Sequence, residues 1–261
     1  MIALLLRRGS RSLKVLEIQK KLRKLGYSVK PDGIFGEETE RAVILFQLEH
    51  GLQADGLVGA RTLDYLETIE KRRKRWVIEE FHNFGSGEIF WRKTDQGIEI
   101  KDEGYVRWHK NKSSRQIKAV VRAYLSTVTR ESERFGIPRE YLLATILVES
   151  GGNPFAYRYE PRLDQASLGV MQVLEKTAQG LGIDDPERLF EPEVCIHYGA
   201  KLMKEQSKFT LLDPVLVAVA YNAGRVAPGS NRWNLRMFDD YAGKWVRFYN
   251  DVMELLREVG E

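Results

Sequence analysis

Apolar residues recur at steps of three and four between residues 13 and 25, where Val15, Ile18, Leu22 and Leu25 share one stripe. That spacing is the mark of a single buried helical face, and Gly26 is expected to end the helix. A second stripe, Thr39, Val43 and Phe46, runs up to Gly51, and a third short helix is expected to hold Leu63 and Leu66. Between the helices the chain repeats itself: Asp32-Gly33-Ile34-Phe35-Gly36-Glu37-Glu38-Thr39 is echoed by Asp55-Gly56-Leu57-Val58-Gly59-Ala60-Arg61-Thr62. Asp-Gly is a turn dipeptide, and the second glycine of each copy is expected to lead into the next helix through a conformation that other residues resist. Two such copies make a compact three-helix unit. Ahead of it, Met1-Ile2-Ala3-Leu4-Leu5-Leu6-Arg7-Arg8 reads as a short opening strand rather than a secretory signal, being too short and lacking both a preceding basic region and a small-residue cleavage site.

The pattern changes from residue 71 to about 112. A helical start is expected up to Phe84, after which Gly85, Gly87, Gly97 and Gly104 punctuate strand-like pieces. Glu88–Arg92 and Gly97–Lys101 are the two arms of an expected hairpin around Thr94-Asp95-Gln96. Trp91, Tyr105 and Trp108 are read as exposed, with two uses open to them: stacking on sugar rings, or packing against a neighbouring domain.

From Ser114 the chain is strongly helical, with Ile117, Val120, Val121, Tyr124 and Val128 on one stripe. Pro138 opens another helix, whose run Tyr141 to Val148 is apolar on nearly every face, as in a fully buried helix. Glu149 ends it, and Ser150-Gly151-Gly152-Asn153-Pro154 breaks it. A carboxyl at the carboxyl end of a buried helix meets the negative end of the helix dipole among apolar neighbours, and both effects favour its neutral form. A carboxyl kept protonated near neutral pH is what protonation of a glycosidic leaving oxygen requires. The spacing alone leaves open a Glu149 paired with a distant arginine.

Composition narrows the classes. A chain of 261 residues can bury two modest cores. Hydrophobic residues make up 43% and charged residues 30%, and no run of eighteen apolar residues exists that could span a bilayer. A net charge of +4 favours polyanions, nucleic acid and bacterial wall polymers alike. The run Lys71-Arg72-Arg73-Lys74-Arg75 reads as a solvated linker or helix end rather than a nucleic-acid site. The single cysteine, Cys195, excludes an intrachain disulfide, and its offset of two from His197 does not bring the side chains together on a helix. His50, His82, His109 and His197 lack zinc-protease spacing, so neither a metal nor another cofactor is expected.

Residues from about Arg8 to Leu66 resemble the small peptidoglycan-binding domain found at the ends of many wall hydrolases. The likeness rests on Arg8-Gly9, Val15, Gln19 and Leu22, Leu25-Gly26-Tyr27, both Asp-Gly repeats, Ala42-Val43, Phe46-Gln47 and Gly51-Leu52, with Ile18 where the family usually has leucine. The resemblance implies targeting to peptidoglycan without catalysis. Most motif positions are structural, and Asp32 and Gln47 are the candidates for touching the wall.

Glu149-Ser150-Gly151-x-Asn153-Pro154, Ser167-x-Gly169-Val170-Met171-Gln172 and Ala220-Tyr221-Asn222-Ala223-Gly224 resemble, in order and spacing, three motifs of the soluble lytic transglycosylase domain, a member of the lysozyme-like superfamily. The likeness covers about Gln116 to Leu255 and includes Thr177-Ala178 and the helix with Gly199 and Leu202. It implies that Glu149 is the sole catalytic acid and base, that Gln172 and Tyr221 line a glycan cleft, and that Asn222 helps hold the sugar acetamide; Ser150 and Ser167 are further substrate-binding candidates. Gly169 and Gly224 are expected to let the backbone approach a substrate. Two departures stand out. Val170 replaces the usual leucine, and the segment from Asn153 to Gly169 is longer than the commonest form, so the position of a helper serine falls on Arg158. Either Ser167 takes that role or the helper is missing. Glu160 and Asp164 lie in the same segment as candidates for a second carboxylate, although the place after the glutamine where some goose-type lysozymes carry an aspartate holds Val173-Leu174.

The expected fold is therefore mainly α: a three-helix binding domain over 1–70, a mixed or hairpin linker over 71–113, and a lysozyme-like helical domain over 114–261. The expected activity is cleavage of the β-1,4 bond between N-acetylmuramic acid and N-acetylglucosamine with a 1,6-anhydro product. A muramidase using water, or a noncatalytic wall-anchoring or virion structural protein, are the alternatives. The expected partner is bacterial peptidoglycan, not nucleic acid or membrane, and a monomer is expected. A phage lysin, or a virion-borne enzyme, would bring such a chain to the wall.

Overall fold

The computed structural model describes residues 5–24, 27–49, 52–75, 78–108 and 113–258. Met1–Leu4, Leu25, Gly26, His50, Gly51 and His109, on which some expectations rested, lie outside the described residues. The chain divides into two compact units, Met1–Trp76 with Leu256–Glu261, and Val77–Leu255. The fold is mainly helical with two small antiparallel sheets. Among the described residues no helix is long and apolar enough to cross a membrane.

The first unit carries α1 (Leu13–Lys24), α2 (Glu37–Glu49) and α3 (Ala60–Arg75). Val15, Ile18, Leu22, Phe35, Val43, Phe46, Val58 and Leu66 form its core. The opening strand reduces, among the described residues, to one bridge in which Leu6 and Val58 exchange backbone hydrogen bonds of 3.0 and 2.8 Å. Helix α3 is longer than the sequence suggests, and Lys71–Arg75 forms its last turn rather than a linker.

Each repeat is closed by a glutamine from the preceding helix. Gln19, 1% exposed, donates from Nε2 to Asp32 Oδ1 (3.0 Å), the Ile34 carbonyl (2.9 Å) and Thr39 Oγ1 (2.9 Å), and its Oε1 accepts from the Asp32 and Gly33 amides at 3.0 and 2.8 Å. Gln47, also 1% exposed, does the same in the second copy, donating to Asp55 Oδ1 (3.0 Å), the Leu57 carbonyl (2.9 Å) and Thr62 Oγ1 (3.2 Å) and accepting from the Gly56 amide (2.9 Å). Buried amides must find partners within the protein, and these two have them. The left-handed residue is the first glycine of each repeat, Gly33 at φ +77 and Gly56 at φ +70, not the second as expected. Gly36 and Gly59 instead stand at the helix starts, where their carbonyls accept from the Glu40 and Leu63 amides at 3.0 Å.

In the second unit, β1 (Ile78–His82), β2 (Trp91–Lys93) and β3 (Ile98–Ile100) form an antiparallel sheet in that order, with Trp91 opposite Ile100 and Lys93 opposite Ile98. Residues expected to be helical before Phe84 are thus partly a strand, because pairing with β2 outweighs a weak local preference. This sheet is part of the larger unit's core, not a linker. Trp91 is fully buried, donates its indole N–H to Asp213 (3.1 Å) and packs 4.8 Å from the His82 ring. Asn250, also buried, accepts from the Ile98 amide (2.7 Å) and donates to the Ile98 and Val106 carbonyls (2.9 Å each). Tyr105 is half-buried and bonded to Thr94 at 2.9 Å, and Trp108, partly exposed, packs 5.6 Å from Phe248.

The remainder is α4 (Ser113–Phe135), α5 (Arg139–Glu149), a second sheet of β4 (Tyr157–Glu160), β5 (Gln165–Leu168) and β6 (Val173–Leu174), then α6 (Glu175–Gly180), a 3-10 turn (Pro186–Phe190), α7 (Pro192–Thr210), α8 (Pro214–Ala223) and α9 (Tyr241–Glu258). Asp213 caps α8, accepting from the Val215 and Leu216 amides at 3.0 Å.

Candidate active site

Helix α5 is buried from Tyr141 to Leu147 and delivers Glu149 at its carboxyl end. The chain then leaves the helix through Gly151 and Gly152, at φ +64 and +91. A Cβ on Gly152 would sit 2.6 Å from Val120 Cγ2, so only glycine lets the turn lie against α4, where Tyr124 donates to the Gly152 carbonyl at 2.8 Å. Ser150 fastens the same corner: its hydroxyl donates to the Val170 carbonyl at 2.7 Å and accepts from the Gly152 amide at 3.1 Å. The turn fixes where the carboxyl points.

Burial pushes the Glu149 carboxyl up to about 7. Tyr241, at the start of α9, donates its hydroxyl to Glu149 Oε1 at 2.6 Å and opposes that rise, as does the charge of Arg158; the charge of Glu160 adds to it. The acid is therefore divided between its two protonation states near neutral pH, the condition for giving a proton and taking one back. Tyr241 had no signal in the sequence beyond an aromatic at the head of a helix, since its partner lies 92 residues away.

Around Glu149 the structure brings the segment of Gln172 and the end of α8 together. Tyr221 donates to the Met171 carbonyl at 2.8 Å, and burial followed by the charge of Glu149 holds its proton well above the ordinary tyrosine range. Gly199 on α7 makes this possible, because a Cβ there would fall 2.4 Å from Met171 Sδ and 3.3 Å from the Tyr221 hydroxyl. Gln172, itself at φ +48, donates to the Ala156 and Gly169 carbonyls at 2.9 and 3.1 Å. Asn222 accepts from the Phe238 amide at 2.9 Å, which orients its side chain at the C-terminal end of α8. The two glycines expected to face substrate have other reasons. A Cβ on Gly169 would meet the Leu189 carbonyl at 2.0 Å, and Gly224 is the left-handed cap of α8 at φ +73.

The long segment after Pro154 is a hairpin. Arg158 stands opposite Ser167, and Glu160 opposite Gln165. Ser167 is buried on β5, while Arg158 extends its guanidinium to Glu160, Nε donating to Oε1 at 2.6 Å. Asp164, at φ +48, accepts from the Tyr159 hydroxyl at 2.6 Å. Successive strand residues point to opposite faces, so Tyr159 and its partner Asp164 belong to the face away from Arg158 and Glu160. Of the two extra carboxylates, Glu160 is the one whose charge reaches Glu149.

Other candidates take structural places. Gln47 is buried and its amide donates to Asp55, Leu57 and Thr62, while Asp32 is exposed and uses one carboxylate oxygen, Oδ1, for Gln19 and the Ile34 amide (2.9 Å). Burial raises the Cys195 thiol to about 12, an inert thiol, and His197 pairs with Glu131 at 2.9 Å. Among the described residues no three His, Cys, Asp or Glu side chains are grouped as a metal would need.

Residues 11–66 match the family described as "Putative peptidoglycan binding domain", and residues 126–239 match the family described as "Transglycosylase SLT domain". The spore cortex-lytic enzyme of Oceanobacillus iheyensis is 39% identical over 88 residues, 31% of this chain and 31% of that protein. The membrane-bound lytic murein transglycosylase C of Edwardsiella ictaluri is 34% identical over 155 residues, 52% of this chain and 40% of that protein. The chain thus spans well under half the length of either relative. A crystal structure of a Burkholderia AP3 phage endolysin is 18% identical, with 96% of this chain and 100% of that one covered and a TM-score of 0.28, too low to superpose one fold on the other. The chain joins an N-terminal peptidoglycan-binding domain to a transglycosylase SLT domain.

Proposed function

We propose that this chain degrades peptidoglycan, cutting the β-1,4 bond between N-acetylmuramic acid and N-acetylglucosamine with Glu149 as both acid and base. The observation that carries this reading is the carboxyl of Glu149: pushed up to about 7 by burial, bonded to the Tyr241 hydroxyl at 2.6 Å, and partly exposed. In its neutral form Glu149 protonates the leaving oxygen. The carboxylate left behind then takes a proton from the attacking group, for which we assign the muramic 6-hydroxyl, giving a 1,6-anhydro end. Asn222 keeps its NH2 group as a donor toward an N-acetyl carbonyl, and Gln172, whose NH2 is bound to the Ala156 and Gly169 carbonyls, offers its Oε1 as an acceptor, with Tyr221 beside them. The N-terminal domain holds the chain on the wall.

A muramidase is the second reading, favoured by one observation: the charge of Glu160 reaches Glu149. Against it, Glu160 is already held by Arg158 at 2.6 Å. The test is loss of turbidity from purified cell walls. Glu149→Gln keeps the size and hydrogen bonding of the side chain but cannot donate a proton, so clearing should slow by about a hundredfold to ten-thousandfold. Clearing near the wild-type rate would remove Glu149 from the chemistry. As the route to the wall we infer a phage lysin, from the union of wall-binding and wall-cleaving modules in one chain. Expressed inside a bacterium, it should lyse the cells only when a membrane-perforating protein is co-expressed, and lysis without that protein would contradict the route.

A further inference from the structure

Helices α5 and α9 meet along a line of contact that advances four residues at a time on each side. At one end Tyr241 donates its hydroxyl to Glu149 Oε1 at 2.6 Å. One turn further along, Trp245 donates its indole N–H to Thr145 Oγ1 at 2.9 Å. At the next turn the rings of Tyr249 and Tyr141 lie edge to face, with centroids 5.7 Å apart. Residues four apart on a helix share a face about one turn, about 5.4 Å, from each other, so Tyr241, Trp245 and Tyr249 form a row facing the row of Glu149, Thr145 and Tyr141. The far rung is itself seated: Tyr141 donates to the Leu212 carbonyl at 2.9 Å and accepts from Lys93 Nζ at 3.2 Å.

The middle rung departs from the apolar pattern of α5. Thr145 is the polar residue of the run from Leu142 to Val148, and both it and Trp245 are fully buried. Two apolar side chains could fill the same space without burying a donor or an acceptor. Apolar contacts, however, are non-directional and tolerate a small slip of one helix along another, whereas a hydrogen bond fixes both the axial register and the rotation. The neighbouring rung depends on that register, because a slip of about 1 Å would part a hydroxyl from a carboxyl bonded at 2.6 Å.

We propose that Thr145 and Trp245 are positioning residues for the acid–base group: their buried bond locks α9 in register against α5 and so holds the Tyr241 hydroxyl on Glu149. This rests on Glu149 being the acid and base. Neither residue carries a charge, so their influence on Glu149 travels through the placement of Tyr241. The charged and titratable groups around Glu149, which are Arg158 and Glu160 from β4, Tyr221 from α8, Cys195 from α7 and Tyr241 itself, are not altered when the rung is replaced. The Tyr241 bond favours the ionised carboxyl, and loosening it should move the alkaline limb of the pH–rate profile to higher pH.

The measurement is the rate of wall clearance against pH for the full chain and for Thr145→Val, Thr145→Ser, Trp245→Phe, Tyr241→Phe and the double Thr145→Val, Tyr241→Phe, each checked for folding by circular dichroism and thermal melting. Thr145→Val and Trp245→Phe should both move the alkaline limb up by about half a pH unit, in the direction of Tyr241→Phe. Thr145→Ser, which keeps the acceptor, should leave it in its wild-type place. The double variant should move it no further than Tyr241→Phe alone, since the rung acts through that hydroxyl. The proposal is overturned if Thr145→Val lowers the melting temperature but leaves the limb in place, which would make the rung packing alone. It is also overturned if Thr145→Ser shifts the limb as far as Thr145→Val, or if the shifts of Thr145→Val and Tyr241→Phe add. Should Trp245→Phe fail to fold, the Thr145 series decides the matter. Failure of the underlying reading looks different: Glu149→Gln would then still cleave.

Discussion

Two kinds of polar side chain, one taken from each unit, are treated in opposite ways. In the small unit Gln19 and Gln47 have both ends of their amides engaged, each tying one Asp-Gly turn to the helix that follows it. In the large unit Glu149 sits in surroundings that penalise its charge, yet among the described residues it has one hydrogen-bond donor, Tyr241. A polar group saturated from within holds a fold together, while one left with an open side is available for chemistry. Both kinds appear in the sequence as a polar residue beside apolar positions of a helix. Only the partners separate them.

The contrast breaks first at the glutamines. Gln47→Leu removes the partner of the Gly56 amide, the Leu57 carbonyl and Thr62 at once, and Gln19→Leu does the same in the first repeat. Each should cost the small unit on the order of 2–4 kcal/mol, because several groups lose a partner inside the protein. Denaturant unfolding of the full chain would show the early transition moving, and wall pelleting should fall with it. Retained stability with lost pelleting would instead make Gln47 a wall contact.

At Glu149 the expectation reverses. Its folded-state value lies above the ordinary carboxyl value, so the native state binds its proton more tightly than the unfolded chain does. Its contribution is fully present below the ordinary value of 4.5 and is lost as pH rises through about 7. Glu149→Gln, which cannot ionise, should therefore be more stable than wild type at pH 8, on the order of 1–3 kcal/mol, with the gain fading below about pH 4.5. Thermal melts at both pH values decide it, and equal stability at pH 8 would mean the carboxyl is well solvated after all.

The smallest effect belongs to Tyr241→Phe, which removes the donor that favours the ionised acid. The alkaline limb of the wall-clearing profile should move to higher pH with little loss of stability. A limb that stays in place would reduce Tyr241 to packing.

What was legible in the sequence follows the same division. The stripes of α1 and α2, the two Asp-Gly repeats and the apolar run ending at Glu149 are local patterns, and each reappears as an element. What depended on distant partners was not readable. Trp91 was expected at the surface and is buried because Asp213, 122 residues on, receives its indole N–H. Tyr241 gave no sign of its bond to Glu149. The segment after Pro154 was read only as a long insertion. Its alternation Tyr157-Arg158-Tyr159-Glu160 puts the tyrosines on one face and an ion pair on the other, a strand pattern with no apolar face to reveal it.

The most direct test of the account is the mass of the fragments released from purified peptidoglycan by the full chain. If Glu149 works alone, the muramic 6-hydroxyl is the attacking group, and the fragments should lack a reducing end and weigh one water less than hydrolysis products. Fragments with reducible muramic ends would mean that water attacked, and a second carboxylate, with Glu160 first in line, would have to share the work assigned here to Glu149.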